Sequence, residues 1–193
     1  MAVYTDITDE ELAALLRAYD AGEALSFKGI AEGVENSNFL LETTAGRFIL
    51  TVYEKRVRVE DLPFFMGVME SLADQGVAAP RPVRTRDGAL TSTVRGKACA
   101  LITFLTGVSP KRPNPAQCRA VGEALARMHL ALQGSPLSRP NSLSLPDWEA
   151  LVRPRLSEAE ALQPGLAARI EADLAALAAA WPQGLPQGVI HAD

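Results

Sequence analysis

The chain has 193 residues, a net charge of −4 and an apolar fraction of 48%. That length buries one sizeable core or two small lobes. Its 19 basic residues form no block, so nucleic acid and membrane surfaces, which need concentrated positive charge, are disfavoured as partners.

Cys99 and Cys118 are the only cysteines. They have no metal-like spacing, and each sits among apolar residues, so both are expected to be small buried hydrophobes. The N-terminus lacks the charged-then-apolar pattern of a signal peptide, and no apolar run reaches the ~20 residues that span a bilayer. These features lead us to expect a cytoplasmic protein.

Thr8 followed by Glu11 is a capping-box pair, and Leu12, Leu15 and Leu16 recur at helical spacing. They predict a first helix over about Asp9 to Asp20, ended by Gly22. Three strands follow, Leu25 to Ile30, Phe39 to Thr43 and Phe48 to Tyr53, the last two joined by a tight turn at Thr44 to Arg47. Two consecutive hairpins make an antiparallel meander. The loop Ala31 to Asn38 between the first two strands is rich in small and amide residues, and its simplest reading is a long hairpin turn.

Asp61 is a candidate cap and Pro63 suits the first turn of a second helix, with Phe65, Val68, Met69 and Leu72 as its apolar face. On this spacing Phe65, Met69 and Leu72 point inward and Glu70 outward. Gly76 stops the helix. The prolines at 80 and 82 impose an extended crossing. Two strands are then expected at Pro82 to Thr85 and Ala89 to Val94, turning at Gly88, and the apolar run Ala98 to Leu105 reads as a buried strand. Beyond the Pro/Gly-rich stretch 107–115 the chain turns helical. Asn114 and Pro115 open a helix whose Val121, Leu125, Met128 and Leu132 share a face. His129 at its end is expected to be a satisfied structural histidine. Ser135 to Pro146 is a loop. A later helix carries Leu166, Ile170, Leu174, Leu177 and Trp181, and Trp148 and Trp181 are expected to serve in packing. This pattern gives an α+β, two-lobed plan: a β-rich lobe over 1–105 and a helical lobe over 106–193, with a cleft at their junction.

The stretch Val189-Ile190-His191-Ala192-Asp193 places a carboxylate at the mouth of a short apolar segment. Such a carboxylate can accept the proton of a substrate hydroxyl as that hydroxyl attacks phosphorus. By itself the His-x-Asp triplet is common, and a surface loop is the plain alternative. Two histidines without clustered acids give no transition-metal ligand set.

Several longer stretches supply the context. Leu25 to Leu40, Gly46 to Lys55, Leu62 to Phe65, Gly122 to His129 and Gly188 to Asp193 resemble the aminoglycoside phosphotransferase and choline kinase group, which shares the protein-kinase fold. Within that group the likeness runs to the bacterial kinase-like homoserine kinases, over essentially the whole chain. The resemblance implies ATP and Mg2+ as cofactors, L-homoserine as acceptor, Asp193 as catalytic base and His191 as the structural histidine of the catalytic loop. It puts Ala31 to Asn38 in the place of the phosphate-covering loop, with Gly33, Ser37 and Asn38 as nucleotide-binding candidates. Thr103, Phe104 and Leu105 match the segment between lobes whose backbone holds adenine.

Thr51 stands where the third strand of such a lobe usually bears a phosphate-binding lysine. Lys28 is the favoured substitute and Lys55 the other, and no helix Glu partner is identified. The metal ligands fall beyond Asp193 on this resemblance, so none is assigned here. A chain ending at Asp193 is expected to be a truncated version of a longer enzyme, inactive by itself. A kinase for another small alcohol (an aminoglycoside, choline or a sugar) and a non-catalytic nucleotide-binding or interaction module are the alternatives.

Overall fold

The computed structural model describes residues 4–31, 35–54 and 57–191. The chain divides into two compact units, residues 1–138 with 188–193, and residues 139–187.

The first unit opens with helix α1 (Asp9–Leu16), capped as expected: the Glu11 N–H donates to Thr8 Oγ1 at 3.3 Å and the Thr8 N–H to Glu11 Oε2 at 2.9 Å. Strands β1 (Ala24–Gly29), β2 (Ser37–Thr43), β3 (Gly46–Val52), β4 (Ser92–Val94) and β5 (Lys97–Thr103) form one sheet in the order β1-β2-β3-β5-β4. All four pairings are antiparallel. The predicted meander is therefore present, and β5 enters beside β3. Of the two strands expected after Pro80, one shrinks to β4. Pro82 to Thr85 makes only isolated bridges, Pro82 to Ile102 and Thr85 to Tyr19, because a proline has no N–H for a continuous ladder.

Alternation along the strands turns one side chain in two toward α1. Phe39, Leu41, Leu50, Val52, Cys99 and Leu101 form the core there with Leu12, Leu15 and Leu16 of the helix and Tyr19 just beyond it. Phe27 stacks on Phe39 with centroids 4.6 Å apart. Burial pushes the Cys99 thiol up to about 11, in keeping with an inert core cysteine. Cys118 departs from expectation and is exposed, since it lies on a helix face that no described residue covers.

Helix α2 (Leu62–Asp74) buries Leu62, Met66 and Leu72, which rotates the expected inward face by one position: Met66 is the central contact, and Phe65 and Met69 are half-buried. Asp61 has helical dihedrals and no side-chain cap hydrogen bond, because the 3-10 turn Val59–Asp61 already leads into the helix. Glu70 points away from the core, as expected, into an exposed pair with Arg84. It receives Arg84 Nε and Nη2 at 3.0 and 2.7 Å, because the crossing segment runs alongside the polar side of α2. Helix α3 (Pro115–Ala131) starts from an Asn114–Gln117 capping box. Its predicted apolar face is buried only toward its C-terminal end, at Leu132, while Val121 and Leu125 are exposed. His129 is exposed in the last turn, where a cation suits the helix dipole, so it is not the packed histidine expected.

The second unit contains α4 (Leu145–Val152), α5 (Leu156–Leu162) and α6 (Leu166–Ala180). Trp148 and Trp181 meet edge to face at 5.7 Å, the packing role expected of them. Helix α5 was not legible as a separate element, and α4 starts inside the expected loop at a Ser144 capping box.

Candidate functional site

Residues directly opposite one another in an antiparallel sheet share a face. The register aligns Lys28, Leu40, Ile49 and Ile102 in one row, and Asn38, Thr51 and Ala100 in the next. Both rows lie on the face turned away from α1. Ala100 and Thr51 are buried, Leu40, Ile49 and Ile102 half-buried, and Lys28 is exposed at the edge strand. An apolar platform with an ammonium at one side and an amide at its end suits a flat base and its phosphates.

Thr51 is a connector here. Its Oγ1 donates to Asn38 Oδ1 at 2.8 Å. With its oxygen engaged, the Asn38 amide can offer only its NH2 group to a ligand.

Ser37, by contrast, turns to the opposite face, in the row of Val52 and Cys99. It is fully buried. Its Oγ accepts the N–H groups of Tyr4 and Thr5 at 2.8 and 3.1 Å and donates to Glu54 Oε1 at 2.8 Å. Ser37 and Asn38 are therefore neighbours in sequence with opposite surroundings.

Glu54 was not singled out from the sequence. Besides Ser37 it accepts Thr5 Oγ1 at 2.6 Å and the Lys97 ammonium, and its own N–H donates to Asn36 Oδ1 at 3.4 Å. Burial pushes its carboxyl up, but hydrogen bonds from Lys97, Thr5 and Ser37 outweigh that and hold it below the ordinary value. No local sequence signal marks this cluster: it forms because β3 and β5 pair up to Val52 and Cys99 and the Tyr53 N–H then bonds the Ala98 carbonyl, which brings Glu54 to Lys97.

At the end of β5, the Thr103 N–H donates to the Arg81 carbonyl at 2.9 Å and the Phe104 N–H to the Arg47 carbonyl at 3.2 Å. Thr103 Oγ1 accepts the Arg81 N–H at 2.8 Å. The Arg47 guanidinium sits 4.8 Å over the Phe104 ring. Of the three adenine-segment candidates, Leu105, exposed, is the one whose N–H is not engaged among the described residues. His191 is exposed. Gly33, Lys55 and Asp193 lie outside the described residues. Among the described residues no three His, Cys, Asp or Glu side chains group as metal ligands, and no helix is long and apolar enough to cross a membrane.

The comparisons with known proteins agree on the family. The model of the phosphotransferase enzyme family matches residues 26–193. The chain is 60% identical over its full length to a homoserine kinase of Caulobacter sp. (strain K31) and 58% identical to that of Phenylobacterium zucineum (strain HLK1). A homoserine kinase of a Bradyrhizobium strain is 57% identical. The chain spans 59 to 60% of the length of these relatives. Among solved structures, a spectinomycin phosphotransferase in complex with ADP and spectinomycin superposes with a TM-score of 0.65 at 13% identity, over 95% of this chain and 60% of that one. That likeness shows the kinase-like α+β fold expected from the sequence. With a family match over residues 26–193, the chain belongs to the phosphotransferase enzyme family.

Proposed function

We propose that the chain carries the nucleotide-binding part of an ATP-dependent kinase that phosphorylates the hydroxyl of L-homoserine, a step towards threonine, in the cytoplasm. The single observation behind the nucleotide reading is the sheet face away from α1, which sets Leu40, Ile49, Ala100 and Ile102 beside Lys28 and Asn38. The acceptor follows from relatives named homoserine kinase at 57 to 60% identity over the whole chain.

In this reading residues 1–105 are the nucleotide-binding lobe and residues 106–193 begin the helical lobe. The base lies against Ile49 and Ala100, and the Leu105 backbone meets its edge. Lys28 supplies the positive charge absent at Thr51, and the Asn38 NH2 donates to the phosphates. Gly33 belongs to the loop over the phosphates. Ser37, with its hydroxyl turned away, contributes by holding that loop. Asp193 accepts the proton of the attacking hydroxyl, and His191 orders its loop. Magnesium, when bound, neutralises charge on the transferring phosphoryl group. None of the residues named here is its ligand.

The reading is tested with the full-length protein and magnesium-ATP, comparing homoserine, choline, an aminoglycoside and no acceptor. ADP release that requires homoserine, with a phosphate monoester of homoserine seen by phosphorus NMR, supports it. Release with another acceptor reassigns the substrate, and no nucleotide binding removes the kinase reading.

A further inference from the structure

We propose that Glu54 is a positioning residue for the phosphate-covering loop, acting from the back of the sheet through Asn36 and Ser37. The inference rests on the nucleotide reading above and adds a residue that reading does not contain.

The loop's return limb is Asn36 to Asn38, where the chain enters β2. Three successive residues of it are each held by a side-chain hydrogen bond from β3 or just beyond it. Asn36 Oδ1 accepts the Glu54 N–H, Ser37 Oγ donates to Glu54 Oε1, and Asn38 Oδ1 accepts Thr51 Oγ1. Glu54 takes part in two of the three, through its backbone N–H to Asn36 and through its carboxylate to Ser37, so side-chain substitution removes only the second.

Glu54 is itself fixed from two further directions. Thr5, from the segment before α1, donates to it, and Lys97, at the start of β5, donates both to Glu54 and, at 2.7 Å, to Thr5 Oγ1. The Glu54 side chain is 10% exposed. A carboxylate so buried and so fully hydrogen-bonded has a single well-defined position. The limb is thus tied to three separate parts of the unit, while its exposed side stays on the opposite face with Asn38. Rigid support from behind is what a phosphate-binding limb needs, because a displacement of about 1 Å at such a site costs on the order of a hundredfold in rate.

The cluster lies on the face opposite the platform, in the row of Ser37, Val52 and Cys99. Its loss should therefore weaken nucleotide binding more than it weakens anything else. A general loss of stability would not discriminate in that way.

The test uses the full-length protein with Glu54→Ala, Glu54→Gln and, as a control of stability alone, Leu16→Ala in the α1 core. Three quantities are read: ATP affinity, KM for the acceptor, and amide exchange at Asn36 to Phe39. Glu54→Ala should raise the Kd for ATP about tenfold and speed exchange at Asn36 to Phe39, with acceptor KM unchanged within about twofold. Glu54→Gln, which keeps an acceptor for Ser37 but loses the attraction to Lys97, should fall between. Leu16→Ala should lower the unfolding midpoint and leave both limb exchange and ATP affinity alone. If Glu54→Ala binds ATP as the wild type does, or if Leu16→Ala reproduces its effects, the positioning role is overturned while the kinase reading stands. If the wild type binds no nucleotide, both are overturned.

Discussion

Thr51 and Asn38 face one another across β3 and β2, and the threonine hydroxyl donates to the amide oxygen at 2.8 Å. A neutral pair therefore occupies the strand position at which the resemblance anticipates a lysine. The pair holds the Asn38 amide oxygen and supplies no charge, so on the proposed nucleotide reading another residue supplies the cation for the phosphates.

Thr51→Val keeps the shape of the buried side chain and removes its donor. Unfolding in denaturant should show a loss of roughly 1 kcal/mol. The freed Asn38 amide should also rotate, raising the KM for ATP severalfold with little change in the KM for the acceptor.

Lys28 is an exposed cation on that face, and Arg47, also exposed there, lies over the Phe104 ring at the far end of β5. Lys28→Met should leave stability within about 0.5 kcal/mol and weaken ATP binding by about ten- to a hundredfold. Calorimetric titration with ATP measures it. An unchanged affinity would transfer the role to another cation, Lys55 first.

Gly22 has φ +75°, and a Cβ there would collide with Thr44 Oγ1 and meet the Ala45 N at 2.9 Å. That hydroxyl also accepts the Glu23 N–H at 3.0 Å, so it cannot move aside freely. Gly22→Ala should cost about 2–3 kcal/mol. Gly76→Ala, with φ +73° and nothing within 4 Å, should cost only about 1 kcal/mol. Comparison of their thermal midpoints separates backbone strain from steric clash.

Against the upward push of burial, hydrogen bonds from Lys97, Thr5 and Ser37 hold the half-buried Glu54 carboxyl below its ordinary value of 4.5. A depressed carboxyl stabilises the fold above its unfolded value, and that contribution disappears as pH falls through the lower folded value. Between about pH 5 and pH 3 the wild type should therefore lose stability more steeply than Glu54→Gln. Denaturant midpoints across that range would show the two curves converging as acid is added.

How much of this was legible from sequence depends on how local the signal is. The capping box at Thr8, the helix start at Asn114 and Pro115 and the stop at Gly76 are written in adjacent residues and reappear in the structure, whereas α1 ends at Leu16, well before the stop expected at Gly22. Lys28 and Asn38 were visible as candidates. What was not visible depends on register. Ser37 and Asn38 face opposite ways because β2 begins at Ser37, two residues before the expected start at Phe39, and its pairing with β3 decides which of them meets the core. The meeting of Glu54 and Lys97 requires β5 to lie beside β3, across more than forty residues of chain. Glu70 shows the same limit: helical spacing marks it as polar, but only the path of the crossing segment reveals that Arg84 meets it. The phosphotransferase resemblance gave the family, which the comparison then showed; no resemblance of motifs revealed the back-face cluster.

The most direct measurement is homoserine-dependent ADP release by the full-length protein with magnesium-ATP, run beside Asp193→Asn. The account predicts release matched one for one by phosphorylated homoserine, and a fall of about a hundredfold or more in the variant, the range for loss of a positioned general base. Release that is independent of homoserine, or an Asp193→Asn variant as fast as the wild type, would contradict it.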